Sequence, residues 1–282
     1  MLDDPKQNAK LDHLMLSSQD PDSMADFYAR VMDYQVTKSE GGTWLCEAPG
    51  RKLLVAKGEN KGLVFVAYSF SDYEALEALR QRLKQANYIP QISPSPIFDD
   101  KAFAIDDPDG NTLVFGVAVS ETSVVPGKQF MSARLQHMVV ASDELTPMVA
   151  FYTEVLGAVA SDMVYDDEGD LTACFMRTDR EHHSFAVFRA PGKRLDHHCY
   201  EVRHWNDIRD WADRATALDI PIEWGPGRHG AGNNLFIFVH DPDGNWVELS
   251  AELEQVEPYS KTGKWKHEPR TLNLWGMAKM RS

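Results

Sequence analysis

Two histidines and one glutamate in the second half of the chain could together bind a metal ion. His137, His197 and Glu248 each lie in a segment of strand-like composition. Two imidazoles and one carboxylate on one face of a divalent ion leave three coordination positions open, as in non-heme Fe(II) enzymes that hold an organic substrate and O2. A single histidine in a strand is more often a hydrogen-bonded core residue, so the prediction rests on the set of three.

The chain contains two copies of one sequence pattern. Residues 11–34 match residues 135–158, an offset of 124 (135 − 11). The turn Asp107-Pro-Asp-Gly-Asn111 recurs as Asp241-Pro-Asp-Gly-Asn245, an offset of 134 (241 − 107). The growth of the offset implies ten additional loop residues in the second copy (134 − 124). Two copies of one supersecondary unit are therefore expected.

The first copy differs from the second at two of the three candidate metal positions. It has a histidine, His13, at the first position, but Phe65 and Val114 at the other two. Phenylalanine and valine cannot bind a metal. Burying an unpaired carboxylate is costly, so packing alone gives no reason for Glu248. The contrast predicts a single site, within residues 133–252.

Strands must position these side chains. Each copy is predicted to begin with a strand and then a helix, which starts at a capping residue and proline, Asp20-Pro21 and Thr146-Pro147. Gly157 is expected to end the second of these helices. A second amphipathic helix is expected at about 72–87 and 205–218. The other predicted strands, before the final turn and strand of each copy, are 42–47, 52–57, 63–70, 171–177, 184–189 and 197–202.

Composition excludes several classes of function. The 282 residues are 43% hydrophobic and 26% charged, an ordinary globular balance, and the formal net charge of −14 argues against nucleic-acid binding. The sequence does not begin with the basic segment and apolar run that are typical of a signal peptide. Its apolar stretches are all shorter than the roughly 20 residues that cross a bilayer. Three widely spaced cysteines do not form a disulfide framework. A cytoplasmic protein without membrane partners is expected.

The repeated β-α-β-β-β order and its Asp-Pro-Asp-Gly-Asn turn resemble the vicinal oxygen chelate superfamily, over roughly residues 10–252. The resemblance implies an α+β fold of two tandem modules, each a pair of βαβββ units in a curved mixed sheet with outer helices. The predicted domains are residues 1–120 without metal, residues 133–255 with the metal and catalytic site, and a carboxy-terminal extension, residues 256–282.

Further motifs resemble the type I extradiol ring-cleaving dioxygenases, and most closely their homoprotocatechuate-cleaving branch through residues 225–230. The signature residues are found here as Gly227-Arg-His229, Phe238, Asp241-Pro242, Gly244 and Glu248. His183 lies fourteen residues before His197, the family's place for an acid–base histidine beside O2. The resemblance implies that His183 and His229 are catalytic, and that both atoms of O2 enter a catechol-type diol as its ring opens.

The substrate pocket departs from that family. Phe238 replaces a tyrosine whose hydroxyl would bond the substrate, and Trp224 replaces an arginine that receives a carboxylate. We therefore expect a neutral or aromatic-substituted catechol, packed by Trp224, Phe175 and Leu272. Arg270 is the nearby cation that counts against this expectation. His198 is expected on the opposite strand face, Cys199 to pack beside the ligands rather than bind metal, and His182 on the surface or in a loop.

Fe(II) is the expected metal, and Mn(II) accepts the same donor set. A hydroquinone-cleaving dioxygenase uses the same ligands and remains an alternative. A glyoxalase-type isomerase takes metal ligands from two modules. Phe65 and Val114 argue against this function, because they cannot bind a metal in the first module. A non-catalytic ligand-binding module would not need the three ligands together. The family also implies a symmetric homo-oligomer.

Overall fold

The computed structural model describes residues 8–119, 127–257 and 259–280, and the first module in it is an eight-stranded sheet with two helices. Its strands lie in the order β2-β3-β4-β1-β5-β8-β7-β6. In chain order its elements are β1 (Lys10–Ser18), α1 (Pro21–Arg30), β2 (Gln35–Lys38), β3 (Trp44–Ala48), β4 (Arg51–Lys57), β5 (Gly62–Phe70), α2 (Tyr73–Gln85), β6 (Gln91–Ile92), β7 (Phe103–Asp106) and β8 (Thr112–Val117).

The second module repeats this arrangement and adds one strand. Its sheet order is β14-β15-β16-β13-β9-β12-β11-β10-β17. Its elements are β9 (Arg134–Ser142), α3 (Leu145–Ala150) continued by a π-helix (Phe151–Leu156), β10 (Val159–Tyr165), β11 (Leu171–Arg177), β12 (Phe185–Arg189), β13 (Arg194–Glu201), α4 (Trp205–Ala217), β14 (Trp224–Arg228), β15 (Leu235–His240), β16 (Trp246–Ala251), β17 (Gly263–Lys266) and α5 (Pro269–Leu272).

The predicted fold class is confirmed: each module is a pair of βαβββ units in a mixed sheet. The added strand β17 lies in the predicted extension and pairs in parallel with β10, so part of that extension belongs to the second sheet. Strand β13 begins at Arg194, three residues before the predicted start at residue 197. Among the described residues, no helix is long and apolar enough to span a bilayer.

The helix boundaries follow local chemistry with one exception. The Asp20 carboxylate accepts a hydrogen bond from the Ser23 amide at 3.1 Å, and so caps α1 as predicted. Gly157 adopts φ +84° at the end of the π-helix, also as predicted. The start predicted at Thr146 is wrong, because α3 begins at Leu145.

The repeated turns join the two modules to each other. The Tyr28 hydroxyl in α1 donates to Asp241 Oδ2 of the second module at 3.1 Å. The Tyr152 hydroxyl of the π-helix donates to Asp107 Oδ2 of the first module at 3.2 Å. All four side chains are buried. Each module therefore holds the other's Asp-Pro-Asp-Gly turn.

Candidate metal centre

Three adjacent strands bring the predicted metal ligands together. His137 lies on β9, His197 on β13 and Glu248 on β16, and β13 lies between the other two. Cys199 of β13 is the backbone partner of both His137 and Glu248. Alternate residues of a strand share a face, so His197 points to the same side as Cys199.

The donor atoms of these three residues meet at one carboxylate oxygen. Nε2 of His137 lies 3.3 Å from Oε2 of Glu248, and Nε2 of His197 lies 3.3 Å from the same atom. All three side chains are buried. Two ligand atoms bound to one ion at a right angle, 2.0–2.2 Å from it, are about 3 Å apart. The spacing therefore matches donors that share one cation.

The second nitrogen of each candidate histidine is held by the residue immediately before it. His137 Nδ1 bonds Gln136 Oε1 at 2.5 Å, and His197 Nδ1 bonds Asp196 Oδ1 at 2.6 Å. These acceptors place the hydrogen on Nδ1 and leave Nε2 bare toward Glu248. Such partners fix the ring orientation of metal-binding histidines. Sequence reasoning missed both, although a polar residue directly before each histidine was visible.

Charge favours the metal-binding protonation states. Burial lowers the pKa of His137 below its usual value, although Glu248 opposes this, so its imidazole is neutral at pH 7. Burial by itself raises the pKa of Glu248, but the close approach of His137, His197 and His229 outweighs it and keeps that pKa well below the usual range. Two neutral imidazoles and one ionised carboxylate are the forms that bind a divalent cation.

A thiol competes with His197 for a place in this set. Ligand atoms of His137, Cys199 and Glu248 all lie within 4.8 Å of one another. Burial holds the pKa of the Cys199 thiol well above its usual value, and a metal binds the thiolate rather than the thiol. His197 instead presents a bare nitrogen held in place by Asp196. We therefore favour His137, His197 and Glu248 as the set that fits a non-heme metal.

His183 and His229 lie on two sides of the same centre. The His183 ring is 4.3 Å from that of His137 between centroids, and burial lowers its pKa well below the usual value. His229 donates from Nδ1 to the Leu272 carbonyl at 2.5 Å, and its Nε2 is 3.5 Å from Glu248 Oε1. The structure thus brings both predicted catalytic histidines to the predicted metal ligands.

A narrow cavity, with about 30 Å³ of free space, opens onto these residues. Its walls are His137, Val139, Phe175, His183, Phe188, His197, Trp224, His229, Ala231, Glu248, Thr271 and Leu272. Trp224, Phe175 and Leu272 are therefore placed as predicted.

Two predicted substrate contacts do not reach the cavity wall. Phe238 is fully buried behind Trp224, and their rings stack at 5.1 Å between centroids. Arg270 is exposed and is not among the residues that line the cavity. In β15, Phe238 faces Glu248 of β16, but the indole of Trp224 packs over it. Sequence spacing could not reveal that stacking.

His182 lies in the loop between β11 and β12, one of the two places predicted for it, but it is not on the surface. Its side chain is buried, and Nδ1 lies 3.0 Å from Nδ1 of His183. Its Nε2 bonds Asp162 Oδ2 at 3.0 Å. His198, by contrast, points to the opposite strand face, where its Nε2 lies 3.2 Å from the Tyr28 hydroxyl.

The equivalent place in the first module is filled. His13 pairs with Ala67, and Ala67 with Val114, just as His137 pairs with Cys199 and Cys199 with Glu248. The register therefore reproduces the internal alignment. The apolar residues gathered at this place are Leu54, Phe65, Ala67, Phe98, Ala102, Ala104 and Val114.

Comparison with known proteins gives one family for both modules. The model of the Glyoxalase/Bleomycin resistance protein/Dioxygenase superfamily matches residues 10–115 and 134–249. A metapyrocatechase of Pseudomonas sp. (strain CF600) is 34% identical over 123 residues, which cover 43% of this chain and 40% of that protein. A biphenyl-2,3-diol 1,2-dioxygenase of Paraburkholderia xenovorans (strain LB400) is 28% identical over 78% of this chain and 79% of its own.

Solved structures add a likeness of fold. The homoprotocatechuate 2,3-dioxygenase of Brevibacterium fuscum, in its anaerobic complex with 3,4-dihydroxyphenylacetate, superposes with a TM-score of 0.80 at 22% identity. The superposition covers 96% of this chain and 90% of that one. Both modules and their relative arrangement therefore follow a fold that is known in a ring-cleaving dioxygenase.

Proposed function

This chain belongs to the glyoxalase/bleomycin resistance protein/dioxygenase superfamily, and from this premise we propose that it is an extradiol dioxygenase. Its proposed reaction opens the ring of a catechol-type diol next to the two hydroxyl groups and incorporates both atoms of O2. The proposed centre is mononuclear, with His137, His197 and Glu248 as ligands.

One observation carries the proposal. Two histidine Nε2 atoms approach the same oxygen of Glu248 at 3.3 Å each, at the wall of a cavity that His183 and His229 also line. A set of two histidines and one carboxylate leaves open positions on the metal, and the cavity lies where an organic ligand would approach them. Phe65 and Val114 at the equivalent places argue against a glyoxalase-type site built from both modules.

The bound metal would act as a Lewis acid that holds the diol and O2 together. His229 already donates from Nδ1 to the Leu272 carbonyl, so in its neutral form the ring has a bare Nε2. That nitrogen can accept a hydrogen bond from a substrate hydroxyl and orient it. His183, on the other side, is proposed to hold and return a proton during ring opening.

The cavity walls favour an uncharged substituent on the diol. Trp224, Phe175, Phe188 and Leu272 supply apolar surface, and a second narrow cavity shares Phe175, Phe188 and Leu272 as wall. The second cavity continues with the apolar residues Val164, Ala173 and Met280, and its wall also includes Glu268 and Lys279, one charge of each sign. An alkyl- or aryl-substituted catechol fits this surface better than a carboxylate would, because none of the residues lining the inner cavity is an arginine or a lysine.

Fe(II) is the proposed metal, since the donor set of two histidines and one carboxylate is that of non-heme iron oxygenases. Mn(II) takes the same ligands and is the alternative to test. A symmetric homo-oligomer also remains a prediction, to be checked by light scattering of the purified protein.

The test is metal-dependent oxygen uptake. The protein is purified anaerobically, loaded with Fe(II) or Mn(II), and given catechol, an alkylcatechol, 2,3-dihydroxybiphenyl and hydroquinone while O2 consumption and a yellow product are followed. Yellow product and O2 uptake with the catechols support the proposal. Turnover of hydroquinone alone would replace it with hydroquinone cleavage, and tight binding without O2 uptake would replace it with a binding function.

The matched control removes a histidine outside the centre. His204 is exposed and lies 3.7 Å from Asp207, so it also belongs to a histidine–carboxylate pair. His204→Ala should retain the metal and the activity, whereas His197→Ala should lose both. Equal metal content in the two variants would show that the wrong histidine has been assigned.

A further inference from the structure

A chain of polar side chains, buried except at the half-buried Trp265, runs from the carboxy-terminal strand to the cavity. The Trp265 indole in β17 donates from Nε1 to Asp162 Oδ2 at 2.8 Å. His182 Nε2 lies 3.0 Å from the same oxygen, and His182 Nδ1 lies 3.0 Å from His183 Nδ1. His183 then lines the cavity. Neither Asp162 nor His182 lines it.

The surrounding backbone holds the two histidines in place. The His182 amide donates to the Glu254 carbonyl at 2.9 Å, and the His183 carbonyl accepts from Gln136 Nε2 at 2.7 Å. Both rings pack against Gly232: a Cβ added there would lie 3.3 Å from His182 Nδ1 and 3.3 Å from His183 Cε1. Gly232 has φ +81°, a conformation that glycine adopts without strain. The backbone around the two histidines therefore restricts rotation of both rings.

The donors fix where the hydrogens must lie. A carboxylate only accepts hydrogen bonds, and Asp162 Oδ2 already accepts one from Trp265, so His182 Nε2 must donate to it. A neutral His182 then has a bare Nδ1, which accepts. His183 Nδ1 must supply the hydrogen of the contact between the two rings, and His183 Nε2 is left without one.

We propose that Asp162, acting through His182, is a positioning residue that fixes the tautomer of His183, with hydrogen on Nδ1 and a bare Nε2 for the cavity. A histidine without such a partner is free to place its hydrogen on either nitrogen. Only a bare Nε2 can accept a hydrogen bond from a hydroxyl group in the cavity. The tautomer is a property of the protein alone, and its importance for catalysis rests on the proposed function.

The first measurement needs no activity. Long-range 1H–15N spectra of the full-length chain, labelled on histidine and kept at pH 8 without added metal, identify the protonated nitrogen of each ring. A His183→Asn spectrum assigns the signals of His183. The expected result is a protonated Nδ1 and a bare Nε2 on His183. Hydrogen on Nε2 of His183 in the unmodified protein would overturn the proposal.

Two substitutions of His182 separate positioning from packing. His182→Phe keeps a flat ring but removes both nitrogens, so the His183 signals should move toward averaged values. His182→Asn places an amide oxygen near the former Nδ1 and should preserve the His183 tautomer. Far-ultraviolet circular dichroism checks that both variants fold. Unchanged His183 signals in a folded His182→Phe protein would also overturn the proposal.

Kinetics of the Fe(II)-loaded protein provide the second measurement. His182→Phe should lower kcat by about tenfold or more with a smaller change in KM, a modest part of the 10²–10⁴-fold that acid–base groups contribute. His182→Asn should recover most of that loss, and His204→Phe should change neither constant. Equal losses in His182→Phe and His182→Asn would assign His182 a packing role instead. If the unmodified protein cleaves no diol, the proposed function fails while the spectra still decide the tautomer.

Discussion

The two modules share one strand order but differ in what occupies the concave face of each sheet. In the second module that face carries buried imidazoles and a carboxylate beside a cavity. In the first, Phe65 and Val114 replace two of these groups. One scaffold therefore supports either a polar, open centre or a filled one. The residues at three strand positions and one connecting segment determine which is formed.

The connecting segment accounts for much of the difference. Between β6 and β7, Phe98 packs 4.9 Å from the His13 ring, and Ser95 Oγ lies 2.7 Å from His13 Nε2. Between β14 and β15, the equivalent segment instead carries His229 and Ala231 at the cavity. His13 therefore has both nitrogens satisfied, by Ser95 and Asp12, and persists as a core residue.

The largest expected difference between the modules is in metal retention. His197→Ala should abolish bound iron and lower the rate of ring cleavage by more than about a thousandfold, because the two ligands that remain, His137 and Glu248, do not hold the ion. His13→Ala should leave the iron content unchanged and cost about 1–3 kcal/mol of stability, since Ser95 and Asp12 lose their partner. Metal analysis and urea unfolding measure both effects. Loss of iron in His13→Ala would contradict the assignment of a single metal site to the second module.

The next largest effect concerns the filled pocket. Phe98→Ala should lower the free energy of unfolding by about 3–5 kcal/mol, because Phe98 is buried in the apolar cluster of the first module. Iron content should remain unchanged at a temperature where the variant is folded. Urea unfolding followed by tryptophan fluorescence provides the measurement. An unchanged midpoint would show that this pocket is not packed by Phe98.

The two turns should resemble each other in their response to pH. Burial raises the pKa of Asp241 to about 6, although hydrogen bonds from Asn245 and Tyr28 oppose it, and burial also raises the pKa of Asp107. The folded state therefore binds a proton more tightly than the unfolded chain, whose aspartate pKa is about 3.9. The contribution of Asp241 to stability is fully present below about pH 4 and is lost as the pH rises through about 6.

The test compares unfolding free energies of the unmodified protein and Asp241→Asn at pH 4 and pH 7. The advantage of the unmodified protein should shrink by up to about 3 kcal/mol over this interval, the equivalent of about two pKa units. Asp107→Asn should behave in the same direction. A difference that grows with pH would contradict a raised pKa for these buried carboxyl groups.

The smallest effect is expected at Phe238, whose counterpart in the first module is Ala104. Phe238→Tyr should change kcat by less than about threefold, which is under about 0.7 kcal/mol, because Trp224 separates this ring from the cavity. Steady-state oxygen uptake measures it. A gain of tenfold or more would show that the new hydroxyl reaches the substrate.

The convergence of the three candidate metal ligands could be predicted from sequence because they lie on strands whose register is repeated. The contrast of His13, Phe65 and Val114 with the second copy was enough to select the candidate ligands by residue type alone. The resemblance to extradiol dioxygenases and the superfamily are confirmed by the comparisons, and the roles of the individual site residues stay predictions. The relation of Asp162 to His182 was missed, because it joins an edge strand to a loop, and no periodicity connects the two.

The contacts of Tyr28 and Tyr152 are reciprocal, so the two modules of this single chain are arranged like the two subunits of a symmetric homodimer. In such an arrangement a patch on each partner fits the equivalent patch on the other. Neither hydrogen bond involves residues of the concave faces. The side chains on those faces can therefore differ between the modules without disturbing the contact that joins the modules. The second module has an imidazole and carboxylate centre at this place, whereas the first module has packed apolar side chains there.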